Sequence, residues 1–557
     1  VAADLGAAIA RRERRLVHDE ASHARWARRL DDLSARLVAI DPALLDDEAR
    51  VTHAVVRDEL ERALVLVRDG WLERDVNGTS SGVHALVEIV TSFERRGRRD
   101  LRWTIARLGE ARAWANAYVR LLERGAVRGE LAPRPAVASA VASIDAMLDR
   151  DAPANPFAEL TRELAALHAR RPHPLDAALA RDLQRALQTQ VGPALRHVRS
   201  YLVDRYLPRA PARLDRATYE HWLAVHLGED HASPAAIGAW GRREVARLRR
   251  ELRRAVHVAY GPRASLPSAM RRLALAAAQR FRTEEELLQA ARAEVARART
   301  IVARAVAVPP GELSIEPVPP HQDRTMLAQY LTPRDGSGAL QLNTTALLHA
   351  QRRHELPALV THETFGGHHL AALHAEARAL PDVRRFAASA AFDEGWALYA
   401  EQLRDELGGY EPEERIGYLA QQLWRAARLV VDTGLHAGGM TRREAEDYLA
   451  TVAFLPRARA RAEVRRYLDC PAQALAYYVG KTRVLNLRAK VRRTLGARFD
   501  LRAFHRKLLS LGAIPLRLVE ATLLAWARRR VSARAAPSRG PHRAPPRPPR
   551  AHARRTS

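Results

Sequence analysis

Between positions 362 and 369 the chain reads His-Glu-Thr-Phe-Gly-Gly-His-His, three imidazoles and one carboxylate within eight residues. Imidazole nitrogen and carboxylate oxygen are the donors that hold a catalytic divalent cation such as Zn²⁺. A His-Glu pair with a second His four residues after the first is the helical arrangement in which both rings reach one ion and the Glu acts as general base. Here position 366 is Gly, and the following histidines, His368 and His369, come six and seven residues after His362. On a regular helix a residue six positions on points about 240° away and one seven positions on lies about 10 Å along the axis, so neither would share an ion with His362. Gly366-Gly367 changes that geometry, because a glycine pair costs about 2 kcal/mol inside a helix and marks a place for a kink or bulge. With the two glycines looped out, His362-Glu363-Thr364-Phe365-His368 regains the ligand spacing. The reading is His362 and His368 as metal ligands, with His369 as the alternative to His368. A lone His-Glu pair would be read as an ordinary helix face; three histidines, a glutamate and a glycine pair in one segment favour a metal.

A third ligand should come from a following helix and leave one position open, as in catalytic sites with two histidines and a glutamate. Glu394, in Phe392-Asp393-Glu394-Gly395-Trp396-Ala397-Leu398-Tyr399-Ala400-Glu401, is the candidate. Glu401 shares its face and Asp393 is adjacent, so the segment is better defined than the particular carboxylate. The chemistry expected of such a set is hydrolysis of amide bonds in short peptides, with one Zn²⁺ per chain acidifying a water and polarising the carbonyl while Glu363 takes the water proton and passes it to the leaving nitrogen. A metal-dependent hydrolase of non-peptide amides or esters, or a catalytically inactive basic binding protein, is the alternative. Tyr477 and His436 are candidate donors to the tetrahedral oxyanion, Tyr478 a lesser one. Arg428 and Arg466 are candidates for a substrate carboxylate, a weak signal in so arginine-rich a chain.

Positioning these groups falls to helices. Alanine, leucine and arginine recur with helical spacing, interrupted by proline clusters at 133–135, 153–156, 172–174 and 208–211. Leu356 to Leu373 reads as one amphipathic helix carrying the motif, with Pro357 in its first turn. Ser233-Pro234 reads as an N-cap and first turn, and Thr283 with Glu286 as a capping box. Between Val308 and Thr345 the prolines multiply, and Leu313–Val318, Met326–Leu331 and Ala339–Asn343 read as short strands, a small sheet just before the motif helix. At 557 residues the chain can enclose a deep cleft between lobes. The expected division is an N-terminal helical lobe over 1–207, a catalytic lobe over 208–530 and a basic Pro/Arg-rich disordered tail over 531–557.

Composition narrows the rest. The one cysteine, Cys470, excludes a disulfide framework and a thiolate zinc finger. The net charge of +27 invites a nucleic-acid reading, but lysine is confined to Lys481, Lys490 and Lys507. Ten arginines lie in the stretch from Arg528 to Ser557. Such a balance reads as compositional bias and tail, so no specific nucleic acid is expected. Arg11, Arg12, Arg14 and Arg15 interrupt any apolar leader region, and no spanning segment is found, so no membrane association and a cytoplasmic location are expected; a leader removed ahead of Val1 stays open. Oligomeric state is not legible.

The segments HETFGGHHL, FDEGWALYAEQL, RAARLVVDTGLHAGGM and PAQALAYYVGK together resemble the bacterial family catalogued as domain of unknown function 885. The resemblance runs from about residue 20 to 530 and is strongest over 325–490. It implies a mainly helical, zincin-like metallopeptidase fold wrapped around a small sheet beside the active-site helix. It also implies His362 and His368 as ligands, Glu363 as base and Glu394 as third ligand, and the substrate expected from the chemistry above is a peptide or small amide. Two positions depart from the family's usual motif: Gly366 stands in place of proline and Ala371 in place of glutamine. The first loosens the bulge, and the second alters the lining toward substrate.

Overall fold

Several helix starts in this protein are set by side chains that satisfy the free backbone N–H groups of a first turn. Ser233 accepts from Ala236 N at 3.3 Å and opens the helix Pro234–Tyr260, with Pro234 at the first position, as its sequence predicts. Thr283 likewise accepts from Glu286 N at 3.2 Å at the head of Glu284–Val302. The predicted capping box is only half made there, because the Glu286 carboxylate accepts from Arg282 N at 2.6 Å, one residue upstream of the cap. A full reciprocal box instead opens Arg442–Val452, where Thr441 Oγ1 accepts from Glu444 N at 3.2 Å and the Glu444 carboxylate accepts from Thr441 N at 2.7 Å.

The computed structural model describes residues 2–5, 20–91, 97–149, 155–228, 231–318, 326–332, 337–385 and 389–532. The chain over these residues is mainly helical, with one three-stranded sheet. The expected tail lies outside the described residues beyond Ser532. Strands β1 (Leu313–Pro317), β2 (Ala328–Leu331) and β3 (Gly338–Leu342) fall on the three predicted segments. They pair in the order β1-β3-β2, parallel between β1 and β3 and antiparallel between β2 and β3, with Tyr330 opposite Leu340. The middle strand β3 is buried along its whole length. Leu340 and Leu342 pack with Leu287, Leu288 and Val295 of Glu284–Val302 and with Leu356, Val360 and Phe365 of the motif segment. The sheet is thus a wall beside the motif.

Apolar contacts divide into several bodies. Residues from Val76 to Ala210 form one cluster of their own. Trp26, Leu30, Val55 and Leu60 instead pack with Phe392, Trp396, Tyr399 and Leu523 near the far end of the chain. The helix Pro412–His436 is buried over most of its circumference and packs against Pro234–Tyr260. No helix of the described residues is long and apolar enough to cross a membrane.

The helices Ala390–Glu406 and Ala476–Leu495, which carry Glu394 and Tyr477, cross at a pair of glycines. A Cβ on Gly395 would lie 2.5 Å from Gly480 Cα and 2.8 Å from Lys481 N, and one on Gly480 would lie 2.7 Å from Gly395 Cα. Backbone meets backbone there, so a methyl group can be accommodated only by moving the helices apart. Gly395→Ala is therefore expected to destabilise the protein by about 1–3 kcal/mol, the range for overpacking a filled core. Denaturant unfolding measures it; a midpoint equal to that of the parent would show that the crossing opens freely.

Candidate metal centre

The motif segment is not the single helix its periodicity predicts. It forms Leu356–Glu363 and His368–Ala377, interrupted at 364–367. Thr364 and Gly367 have φ/ψ of −116°/−129° and −105°/−115°, outside the helical region. Thr364 N still donates to Val360 O at 3.0 Å, but Thr364 O next accepts from Leu370 N at 3.2 Å, six residues on. The usual spacing is four. The two additional residues are the glycine bulge. Gly367 has no room for a side chain, since a Cβ would run into the His362 carbonyl and lie 3.0 Å from Ala397 Cβ. Its carbonyl accepts from Trp396 Nε1 at 3.3 Å, which ties the bulge to the helix bearing Glu394.

As a result His368, and not His369, turns toward Glu394. The Glu394 Oε2 atom lies 3.3 Å from His362 Nε2 and 3.6 Å from His368 Nε2. Ligand atoms of His362, His368 and Glu394 all lie within 4.8 Å of one another, the group of described residues that could hold a metal ion. The two rings are nearly perpendicular, at 84°. Burial disfavours an imidazolium at His362, yet the Glu394 and Glu401 carboxylates outweigh it and lift its pKa to about 9. Burial also opposes the charge on Glu394, but the two histidines hold its carboxyl well below the usual range. The site draws positive charge to the space between the three groups, and two nitrogens with one oxygen are a donor set that suits a divalent cation.

Glu401 takes a different part from the one weighed in the sequence. It is 1% exposed and accepts from His362 Nδ1 at 2.9 Å, leaving Nε2 free to face the other donors. Its second oxygen accepts from Gln422 Nε2 at 3.1 Å, and Gln422 Oε1 accepts from Lys481 Nζ at 2.7 Å. A histidine that donates one ring N–H to a carboxylate is fixed in tautomer and made a better ligand through the other nitrogen. Glu401→Ala is expected to weaken metal binding by about 10–100-fold, with partial recovery in Glu401→Gln. Competition against a metal indicator measures this, and unchanged affinity in Glu401→Ala would remove Glu401 from the site.

Glu363, His362, His368, Asp393, Glu394, Tyr477 and Tyr330 share the wall of one cavity of about 560 Å³, the Tyr330 ring centroid 6.5 Å from that of His368. Tyr477 lies over His362, with ring centroids 6.1 Å apart and 16° between planes, and its hydroxyl is 3.3 Å from Arg466 Nη2. Ala371, in the place of the family's glutamine, lines the same cavity. His369 is fully buried and faces the sheet, its Nδ1 3.0 Å from the Tyr330 hydroxyl. His436 does not line the cavity: its Nε2 bonds to Tyr467 O at 2.9 Å and its ring stacks on Tyr219. The expectation of an oxyanion donor there is corrected, because the end of Pro412–His436 turns that ring into the helical core. Tyr478 is likewise engaged elsewhere, donating to Glu244 at 2.8 Å. Tyr330 was not foreseen; it is thirty-two residues before His362, on a strand edge that only the β2–β3 register brings to the motif.

Fold and site together define a mainly helical protein with a His/His/Glu group on a cavity wall. The chain belongs to the family described as bacterial protein of unknown function (DUF885), whose model matches residues 1–523. Among solved structures it is similar to a protein described as a lipoprotein from Colwellia psychrerythraea, with 24% identity, 92% of each chain covered and a TM-score of 0.82. It is also similar to one from Shewanella oneidensis, described as a lipoprotein of unknown function, with 19% identity, 91% of this chain and 93% of that chain covered, and a TM-score of 0.71. These likenesses establish the fold. An M32 carboxypeptidase from Deinococcus radiodurans R1 aligns at 16% identity over 84% of this chain and 98% of its own, with a TM-score of 0.35, too loosely to relate the two architectures. No curated protein matches the chain.

Proposed function

We propose that this protein is a zinc-dependent hydrolase of amide bonds in short peptides. The observation that carries the reading is the convergence of His362, His368 and Glu394 within 4.8 Å on a cavity that Glu363 and Tyr477 also line. Two imidazoles, one carboxylate and room for a further group are the donor set of catalytic zinc sites, although Mn²⁺ or Co²⁺ also suits nitrogen and carboxylate donors. A cation held by these three residues supplies Lewis acidity, which polarises a carbonyl and makes water acidic near neutral pH.

The chain's own groups then divide the work. Glu401 holds His362 in one tautomer through the 2.9 Å contact to Nδ1. Glu363, next to the first ligand and on the cavity wall, accepts a proton from water and delivers it to the leaving nitrogen. The Tyr477 hydroxyl donates to the oxyanion of the tetrahedral intermediate, oriented by its 3.3 Å contact with Arg466. A cavity of about 560 Å³ accepts an extended segment of a few residues and not a folded domain. The relatives' descriptions as lipoproteins favour a setting at the cell envelope over the cytoplasmic one expected from the sequence.

The test is incubation of zinc-loaded protein with a mixture of unstructured peptides, read by mass spectrometry. Cleavage that stops on chelation and returns with zinc is expected. Turnover of small amides or esters with peptides untouched would change the substrate class, and no turnover of either would sink the hydrolase reading.

A further inference from the structure

Beside the metal group stands a concentration of positive charge of which the proposed chemistry uses one member, Arg466, to orient Tyr477. Trp424, Arg425 and Arg428 lie on Pro412–His436, and Arg459, Glu463 and Arg466 on Arg457–Asp469. Three guanidinium carbons, of Arg425, Arg428 and Arg459, sit 4.2–4.4 Å from the Trp424 ring centroid. Arg428 also stands 4.5 Å from the centroid of Tyr477, and Arg466 stands 5.9 Å from it. Among the described residues one carboxylate makes direct contact with these four cations, Glu463, at 3.1 Å from Arg428 Nη2. Among the described residues Arg466 hydrogen-bonds only to neutral groups, Gln473 Oε1 at 2.7 Å and the Tyr477 hydroxyl at 3.3 Å, with the Glu463 and Glu394 charges acting on it without a direct bond.

Burial makes this imbalance costly. Arg428 is 1% exposed and Arg425 6%, and a buried charge without a countercharge or a full set of hydrogen bonds costs several kcal/mol. Arg428 Nη1 and Arg425 Nε are buried donors that find no acceptor among the described residues. Cation–π contacts offset part of the cost, but they leave those N–H groups unpaired. Excess charge and unpaired donors are two separate signs of the same deficit, an anion. Planar forked donors match a carboxylate in particular. Tyr477 connects the two places, since one ring lies against His362, contacts Arg428 and lines the cavity.

We propose that Arg428 and Arg466, backed by Arg425 and Arg459, form a subsite for a carboxylate of the substrate on the Tyr477 side of the metal group. The hydrolase reading determines that this carboxylate belongs to a substrate; that the cluster takes up a carboxylate does not depend on it. The carboxylate would be the C-terminus of a short peptide or an acidic side chain within it.

Calorimetric titration of the zinc-loaded full chain decides the matter without turnover. The probes are N-acetyl-alanine, which has a free α-carboxylate, N-acetyl-aspartate α-amide, whose carboxylate is on the side chain, and neutral N-acetyl-alaninamide. At least one carboxylate probe is expected to bind at least tenfold tighter than the neutral amide, and which one does so names the source. Arg466→Met, at a partly exposed position, is expected to remove that preference with zinc content and thermal unfolding unchanged. Arg428→Lys, which retains the charge opposite Glu463, should weaken it at least fivefold. Equal affinity for acid and amide, or a preference untouched in both variants, overturns the proposal. Carboxylate binding by a protein that cleaves nothing would leave the subsite standing and remove the hydrolase, whereas cleavage indifferent to carboxylates would do the reverse.

Discussion

If the protein is the proposed zinc hydrolase, Glu363→Gln is expected to lower turnover of a peptide substrate by about 10²–10⁴-fold with zinc binding unchanged, the range that general acid–base catalysis contributes. Its position explains why the two effects should separate. Glu363 is the last residue of Leu356–Glu363, partly exposed on the cavity wall next to His362, and it is not part of the group whose ligand atoms converge. The amide keeps the shape of the side chain and its hydrogen-bonding capacity but does not accept a proton from water. Metal content should therefore stay at the parent level, and the loss should appear in kcat more than in KM, as for an interaction made only in the transition state. Parallel measurement of zinc by elemental analysis and of kcat and KM on one cleaved peptide makes the check. A variant with parental kcat would show that another group is the base, with Asp393 on the same cavity wall the next to be replaced.

How much of this site could be read from the sequence follows from how local each signal is. The glycine bulge was legible because it corrects a spacing: His362 and His368 are useless to one another on a straight helix, and Gly366-Gly367 supplies the two residues to be removed. The break itself was not, since the apolar periodicity of Leu356 to Leu373 continues across it and periodicity does not register φ and ψ. The three strands were legible from their prolines and short apolar runs. Glu401 was visible only as a carboxylate sharing a face with Glu394, and a face with two carboxylates is usually solvated. Its part as the partner of His362 Nδ1 depends on Gln422 and Lys481, which come from two later helices. Tyr330 depends on strand register, and His436 on which way a buried helix end is turned. Pairings of that range are set by packing and leave no mark at short spacing.

The second large effect is on the metal itself. Separate replacement of His362, His368 and Glu394 by alanine is expected to take the protein from about one zinc per chain to almost none after dialysis, because three protein ligands are the minimum of a catalytic site. Each loss should exceed the 10–100-fold expected for the supporting Glu401. His369→Ala is the informative contrast. It is adjacent to His368 in sequence, so a straight or differently bulged helix would exchange their roles. In this fold, however, His369 is buried against Phe365 and bonded to Tyr330 at 3.0 Å. Its removal leaves a cavity and an unpaired tyrosine hydroxyl, costs of stability that lower the unfolding midpoint without touching zinc. Zinc lost with His369 and kept with His368 would mean that the chain bulges at a different residue, and the observed bond from Leu370 N to Thr364 O would then have to be absent in solution. Zinc bound by none of the four proteins and none by the parent, even after reconstitution, would show that a carboxylate between two imidazoles is here satisfied by a proton alone, and Glu363 would have no cation to work beside.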